Sequence, residues 1–227
     1  MSLERLKNDL EQMNITYVIV EVPSSDEQTY RLSDNSPANV GPDGRIFVME
    51  RLNEEEKIEA IAHELGHIFY RHSGQVSLDN YEDQHNLPLE INNTISHRSI
   101  IDLLMTRYEI ASTAHISRRI TLLEESEEYL INLEEALLKK EIDYIDYNYY
   151  LAMFGVYLLD IEKCLADRQD QVNSVVRTNP RLSFILDTAR IHLFDVAENL
   201  PESEQRNRIE NFLVALGFNI QDFSYCN

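Results

Sequence analysis

The stretch His63-Glu64-Leu65-Gly66-His67 decides how the rest of this 227-residue chain is interpreted. Two histidines four residues apart on a helix project from the same face, one turn above the other. Both imidazoles can then reach one tetrahedral Zn²⁺ at about 2.0–2.1 Å. A glutamate beside the first histidine can take a proton from metal-bound water, whose pKa the metal lowers to about 7. The pattern therefore indicates a zinc-dependent hydrolase, with His63 and His67 as ligands and Glu64 as general base.

The residues on both sides of the motif predict a largely apolar helix over about residues 53–72, because apolar residues recur there at helical spacing. Asn53 suits the N-cap, and the three glutamates after it lie where the helix dipole favours negative charge. Gly74 can close the helix. Gly66 costs about 1 kcal/mol relative to alanine inside a helix. A glycine between the two histidines therefore predicts that another element packs close to the backbone there.

Composition and charge limit the class of protein. The chain is 43% apolar and 26% charged, as soluble globular proteins are. No stretch approaches the roughly 18 apolar residues of a membrane span, and the N-terminus lacks the apolar centre of a signal peptide. Cys164 and Cys226 are isolated and fit free thiols, so we expect a cytoplasmic protein. The net charge of −20 disfavours direct binding of nucleic acid and is compatible with a basic protein partner.

The order of the predicted elements indicates an α+β fold that is mostly helical, with a small N-terminal β-sheet packed on the motif helix. The N-terminal helix and the strands are predicted at residues 3–13, 15–22, 30–32 and 45–50. The polar segment 75–93 is predicted to be an irregular loop. From about residue 99 the chain has helical periodicity, with predicted helices near 99–119, 121–141, 145–169, 181–198 and 202–216.

A catalytic zinc usually takes three protein ligands and leaves one position open. One common solution places a third histidine six residues after the second, but Ser73 occupies that position. The other common solution is a glutamate from a later helix, and Glu109 is the best candidate. It lies in a mostly apolar segment, 100–116, so we expect its carboxylate to point inward, where a metal would compensate its charge. The rivals for this role are Glu90, Asp79, Glu82 and Asp83 in the polar segment, and His97 and His115. The alternative for Glu109 itself is an exposed side chain or a partner for Arg107 or Arg118.

The nine residues from Ile61 to Phe69 (IAHELGHIF) resemble the motif helix of the ImmA/IrrE family of metallopeptidases. The preceding order of a helix, a short sheet and a strand leading into the motif is similar to the core of that family. The segment from Arg107 to Ala114 (RYEIASTA) resembles the family's second helix, which carries a glutamate followed by small residues and often an asparagine or aspartate. Thr113 stands where the pattern prefers those residues. The resemblance covers about residues 1–118 and implies Glu109 as third ligand and Glu64 as general base.

This resemblance implies a zincin-like metallopeptidase core over residues 1–120 and leaves a helical accessory region, 121–227, of unknown role. It implies a cytoplasmic endopeptidase with Zn²⁺ as cofactor. Relatives typically cleave a helix-turn-helix repressor and so switch on stress or mobile-element genes, which makes a separate DNA-binding repressor the expected substrate. The groups considered for assisting the reaction are Tyr70, Tyr108 and His115. The strand at 45–50, if at the sheet edge, could pair with an extended substrate.

Two alternatives to a peptidase stay open at this point. The first is a catalytically silent zincin-fold regulator that binds its partner without cleaving it, with the C-terminal helices as the interaction surface, including a surface for homodimerisation. The second is a purely structural zinc, which would have four protein ligands and no open position.

Overall fold

The computed structural model describes residues 2–41, 43–80, 86–197 and 199–226, and its fold is α+β and mostly helical, as predicted. None of the helices in these ranges is long and apolar enough to span a membrane. In chain order, the helices and strands are α1 (Ser2–Gln12), β1 (Val18–Val22), β2 (Ala38–Val40), β3 (Arg45–Met49), α2 (Glu54–His72), β4 (Ser77–Asn80), α3 (Leu87–Arg107), α4 (Thr113–Glu124), α5 (Ser126–Lys139), α6 (Tyr144–Cys164), α7 (Gln169–Arg177), α8 (Pro180–Leu193), α9 (Glu202–Ala215) and β5 (Phe223–Cys226).

The chain forms two compact units. The first contains residues 1–74 and 99–118, and the second contains residues 75–98 and 119–227. The first unit therefore holds the histidine motif. The division at residue 120 that the sequence suggests stays a prediction.

The sheet of the first unit has the strand order β1-β3-β2. Strand β1 runs parallel to β3, and β2 runs antiparallel to it. Because β3 lies between the other two strands, it is not at the sheet edge, and the condition for its pairing with an extended substrate is not met. Its Ile46 and Val48 are fully buried, and they share one hydrophobic cluster with Leu6 and Leu10 of α1. The third strand is Ala38–Val40 rather than the predicted 30–32.

Helix α2 begins where the sequence predicts it, after an N-cap at Asn53. The Asn53 side-chain oxygen accepts the Glu56 backbone N–H at 3.0 Å, and the Glu56 carboxylate accepts the Asn53 N–H at 3.3 Å. These reciprocal bonds form a capping box, which satisfies backbone donors that the first turn cannot pair internally. The buried residues of the helix are Ala60, Ile61, Ala62, Leu65, Gly66, Ile68 and Tyr70.

Helix α2 packs closely on residues 99–107 of α3, which belong to the same unit. A Cβ atom built on Gly66 would lie 2.7 Å from Cγ2 of Ile100. One turn further along, the Tyr70 hydroxyl donates to the Ser99 carbonyl at 3.1 Å. The close approach predicted from Gly66 is therefore confirmed.

The helix predicted across residues 100–116 is interrupted. Helix α3 ends at Arg107, and α4 begins at Thr113. Between them Glu109 has a φ of 56°, in the left-handed region that side chains other than glycine rarely adopt. The turn allows the Ile110 N–H to donate to the Leu104 carbonyl at 3.0 Å, and both of these apolar side chains are buried in the core. The apolar pattern of the sequence therefore continues to the buried Ile110, although helix α3 already ends at Arg107.

In the second unit, β4 pairs antiparallel with β5, so Ser77–Asn80 lies opposite Phe223–Cys226. The irregular loop predicted over 75–93 is therefore wrong for β4 and for the start of α3, while residues 81–85 lie outside the described residues. Helix α6 is buried along most of its length, and it packs on α8.

Candidate metal centre

Helix α2 brings the rings of His63 and His67 together, as the four-residue spacing predicts. Their Nε2 atoms lie 3.2 Å apart, and the ring planes are inclined at 79°. Two nitrogens bound to one tetrahedral zinc at about 2.05 Å would lie about 3.3 Å apart. The pair therefore fits a shared zinc ion as it stands, without movement of the helix.

Glu64 lies beside His63 on the same helix and is half-buried. Burial raises the pKa of its carboxyl to about 7, while the charges of Arg71 and Arg118 act in the opposite direction. Arg71 lies seven residues along α2 from Glu64, which is two turns on the same face. A carboxyl group with a pKa near neutrality is suited to taking up and returning a proton.

His115 lies in the first turn of α4 and is buried beside His63. The two rings are stacked, with centroids 4.6 Å apart and an angle of 24° between their planes. The His115 backbone N–H donates to Oε1 of Glu59 at 2.8 Å. Glu59 precedes His63 by four residues, so one face of α2 carries both the candidate ligand and the group that holds α4 against it.

Glu109 does not have the position that the sequence predicts. Its side chain is exposed, and its backbone lies in the break between α3 and α4 rather than within a helix. Within the described residues of the first unit, no aspartate, glutamate, cysteine or further histidine places a ligand atom within 4.8 Å of both histidine ligand atoms. The structure thus brings His63, Glu64 and His67 together and leaves Glu109 outside. The predicted inward carboxylate is wrong because the left-handed turn redirects the chain at that residue.

Tyr70 and Tyr108, considered as assisting groups, donate their hydroxyls to the Ser99 carbonyl and to the Asp9 carboxylate. Asp79 lies in β4 and is exposed, and Glu82 and Asp83 lie outside the described residues.

The second unit contains a buried cluster of charged residues around Asp160, which is fully buried in α6. Its Oδ2 lies 2.8 Å from Nδ1 of His97 and 2.8 Å from Nη2 of Arg119. Nη2 of Arg119 also lies 3.1 Å from Nδ1 of His97, so the three side chains form one buried polar network. Oε2 of Glu90 lies 3.8 Å from Nη1 of Arg119. Burial raises the pKa of the Glu90 carboxyl.

Two members of this cluster, Arg119 and Asp160, are not among the site residues predicted from the sequence. Asp160 lies in the run Leu158-Leu159-Asp160-Ile161, where the neighbouring residues are fully buried. A charge inside an apolar helix needs a partner. That signal was available in the sequence and identifies Asp160.

A comparison with family models matches part of the chain. Residues 11–96 match the peptidase M78 family model, described as an IrrE N-terminal-like domain. This match supports the resemblance to the ImmA/IrrE family and contains the whole of helix α2. It ends before Glu109, so the loosest part of the resemblance lies outside it. No curated protein and no solved structure matched the chain.

Proposed function

We propose that this chain is a zinc-dependent endopeptidase whose metal is held by His63 and His67. The observation that supports this most directly is the 3.2 Å separation of the two Nε2 atoms, with a glutamate next to the first ligand. The match of residues 11–96 to a peptidase family supports the same reaction class.

Zinc bound at this pair would polarise the scissile carbonyl and make a water molecule nucleophilic near neutral pH. Glu64 accepts the proton of the attacking water and delivers it to the leaving amine. Arg71 and Arg118 favour the ionised carboxylate, which is the form that accepts a proton. In the metal-free chain, burial of Glu64 has the larger effect and raises the pKa of its carboxyl to about 7.

The third ligand is the part of this centre that the sequence predicts least well. Glu109 is exposed and lies outside the histidine pair, so we expect Glu109→Ala to retain zinc. Glu90 and His97 remain as rivals from the sequence. Zinc content measured for Glu109→Ala, Glu90→Gln and His97→Ala, with His72→Ala as the matched histidine control, identifies the third ligand as the residue whose loss removes the metal.

We propose a basic protein as the substrate, and a helix-turn-helix repressor is the expected example. The net charge of −20 supports a basic partner, since opposite charges steer association. The resemblance to the ImmA/IrrE family supports a repressor.

The reaction is tested with zinc-loaded protein and a small helix-turn-helix repressor that is co-expressed with it. We expect wild type to cut the repressor, with new termini identified by mass spectrometry. Glu64→Gln should bind as much zinc and leave the repressor intact, while Glu55→Gln, at an exposed position on the same helix, should cut like wild type.

Cleavage by Glu64→Gln would show that Glu64 is not the base. Zinc-loaded wild type that binds the repressor and leaves it whole would instead favour a regulator without catalysis.

A further inference from the structure

His115 is held in place by the helix that carries the candidate ligands. Its backbone N–H is the third of α4, since the helix begins at Thr113, and it donates to the Glu59 carboxylate at 2.8 Å. An anionic acceptor at a helix N-terminus both satisfies a backbone donor and interacts favourably with the helix dipole. Because Glu59 is four residues before His63, this bond fixes the first turn of α4 beside the His63 ring.

We propose that His115 is a positioning residue for His63, and this inference rests on the proposed metal centre. The χ2 torsion of a histidine is broad, so an imidazole without a neighbouring ring can adopt many orientations. The His115 ring covers one face of the His63 ring at 4.6 Å between centroids and is itself only 8% exposed. Stacking against a fixed ring restricts His63 to the orientation in which its Nε2 meets that of His67.

The geometry separates this role from direct coordination. Ring nitrogen lone pairs lie in the ring plane, and the planes of His63 and His115 are only 24° apart. Two nearly parallel, stacked rings direct their lone pairs side by side rather than at one point. In agreement, the ring nitrogens of His63, His67 and His115 do not all lie within 4.8 Å of one another. His115 therefore supports a ligand through its ring face and through the Glu59 bond.

Two substitutions of the same residue test this role. His115→Phe keeps a flat ring and removes both nitrogens, whereas His115→Ala removes the ring. Groups that orient a metal ligand typically contribute 10- to 100-fold to metal affinity. We expect the zinc Kd, measured by competition with a chromophoric chelator, to rise about tenfold or more in His115→Ala and to stay within about threefold of wild type in His115→Phe.

His72→Ala, at an exposed position in the last turn of α2, should bind zinc like wild type. The visible absorption spectrum of the cobalt-loaded protein gives a second readout. It should be unchanged in His115→Phe and altered in His115→Ala, because it reports the arrangement of the ligands. Far-UV circular dichroism of each metal-free variant shows whether it is folded. If His115→Ala is unfolded, loss of zinc binding in His115→Phe would still overturn the positioning role.

A His115→Phe variant that binds as weakly as a zinc-ligand knockout such as His63→Ala would show that a ring nitrogen is needed and would overturn the positioning role. A folded His115→Ala that binds like wild type would also overturn it. Neither result depends on cleavage, so a wild type that binds zinc without cutting any protein refutes the peptidase and leaves this inference standing. A wild type that binds no zinc refutes the metal centre and this inference together.

Discussion

Replacing Gly66 by alanine tests the contact between α2 and α3 at the candidate metal centre. The added Cβ would lie 2.7 Å from Cγ2 of Ile100 and 3.2 Å from its Cγ1. Carbon atoms in contact normally lie about 3.5–4.0 Å apart. Ile100 is fully buried, so it cannot rotate into solvent, and either its side chain or one of the helices has to move by about 1 Å.

Two opposing free energies determine the result. Alanine gains about 1 kcal/mol over glycine in a helix interior. Overpacking a well-packed core costs about 1–3 kcal/mol. We therefore expect Gly66→Ala to lower the free energy of unfolding by about 1 kcal/mol, whereas helix propensity alone predicts an increase of about the same size. The sign of the change separates the two effects.

The measurement is urea denaturation followed by far-UV circular dichroism, since the chain has no tryptophan for fluorescence. The matched background is Ile100→Ala, which by itself should cost about 2–5 kcal/mol but removes the atoms that the new Cβ would meet. In that background Gly66→Ala should become stabilising by about 1 kcal/mol. A full gain of about 1 kcal/mol in the wild-type background would show that α3 does not approach Gly66 closely.

Three further predictions concern titration, metal binding and backbone strain. Burial raises the pKa of Glu90 above its ordinary value of 4.5, so the folded chain keeps a proton there that the unfolded chain has lost. The proton bound to Glu90 stabilises the folded chain fully below pH 4.5, and this stabilisation is lost as pH rises through the pKa of Glu90 in the folded chain. The melting temperature should therefore fall less from pH 5 to pH 8 in Glu90→Gln than in wild type. Equal falls would contradict the raised pKa. Zinc should raise the melting temperature of wild type and not that of His63→Ala, because only a ligand that binds the folded state stabilises it; an equal rise in both would place the bound zinc elsewhere. Glu109→Gly should stabilise the chain by up to about 1 kcal/mol in urea denaturation, because glycine adopts a φ of 56° without strain, and it should keep its zinc; loss of zinc would restore Glu109 as a ligand.

The parts of the fold that depend on local sequence could be predicted closely. Helix α2 was expected over about 53–72 and spans Glu54–His72, because its cap, its acidic first turn and its apolar periodicity all lie within one segment. Gly66 predicted a close neighbour, because alanine is more favourable than glycine inside a helix and a glycine there indicates that a side chain would clash. The spacing of His63 and His67 predicted adjacent rings for the same local reason.

Features that depend on distant residues could not be predicted in the same way. Strand β4 pairs with a strand that lies almost 150 residues later in the sequence, since Ser77 is opposite Cys226. A strand of four residues gives little periodicity, and its hydrogen-bonding partner is not encoded nearby. The stacking of His115 on His63 is of the same kind, because it depends on the turn at Glu109 and on the Glu59 bond that seats α4.

The contrast between Glu109 and Asp160 explains why the Glu109 side chain does not point inward as the sequence predicts. Both are acidic residues in apolar surroundings, and a helical pattern assigns each to an inward face. That assignment holds only while the backbone remains helical. Asp160 has buried helix residues on both sides and is itself fully buried, whereas Glu109 follows the last residue of α3 by two positions and turns out to solvent. An acidic residue is therefore better evidence of a buried site when the apolar pattern continues for a full turn beyond it in both directions.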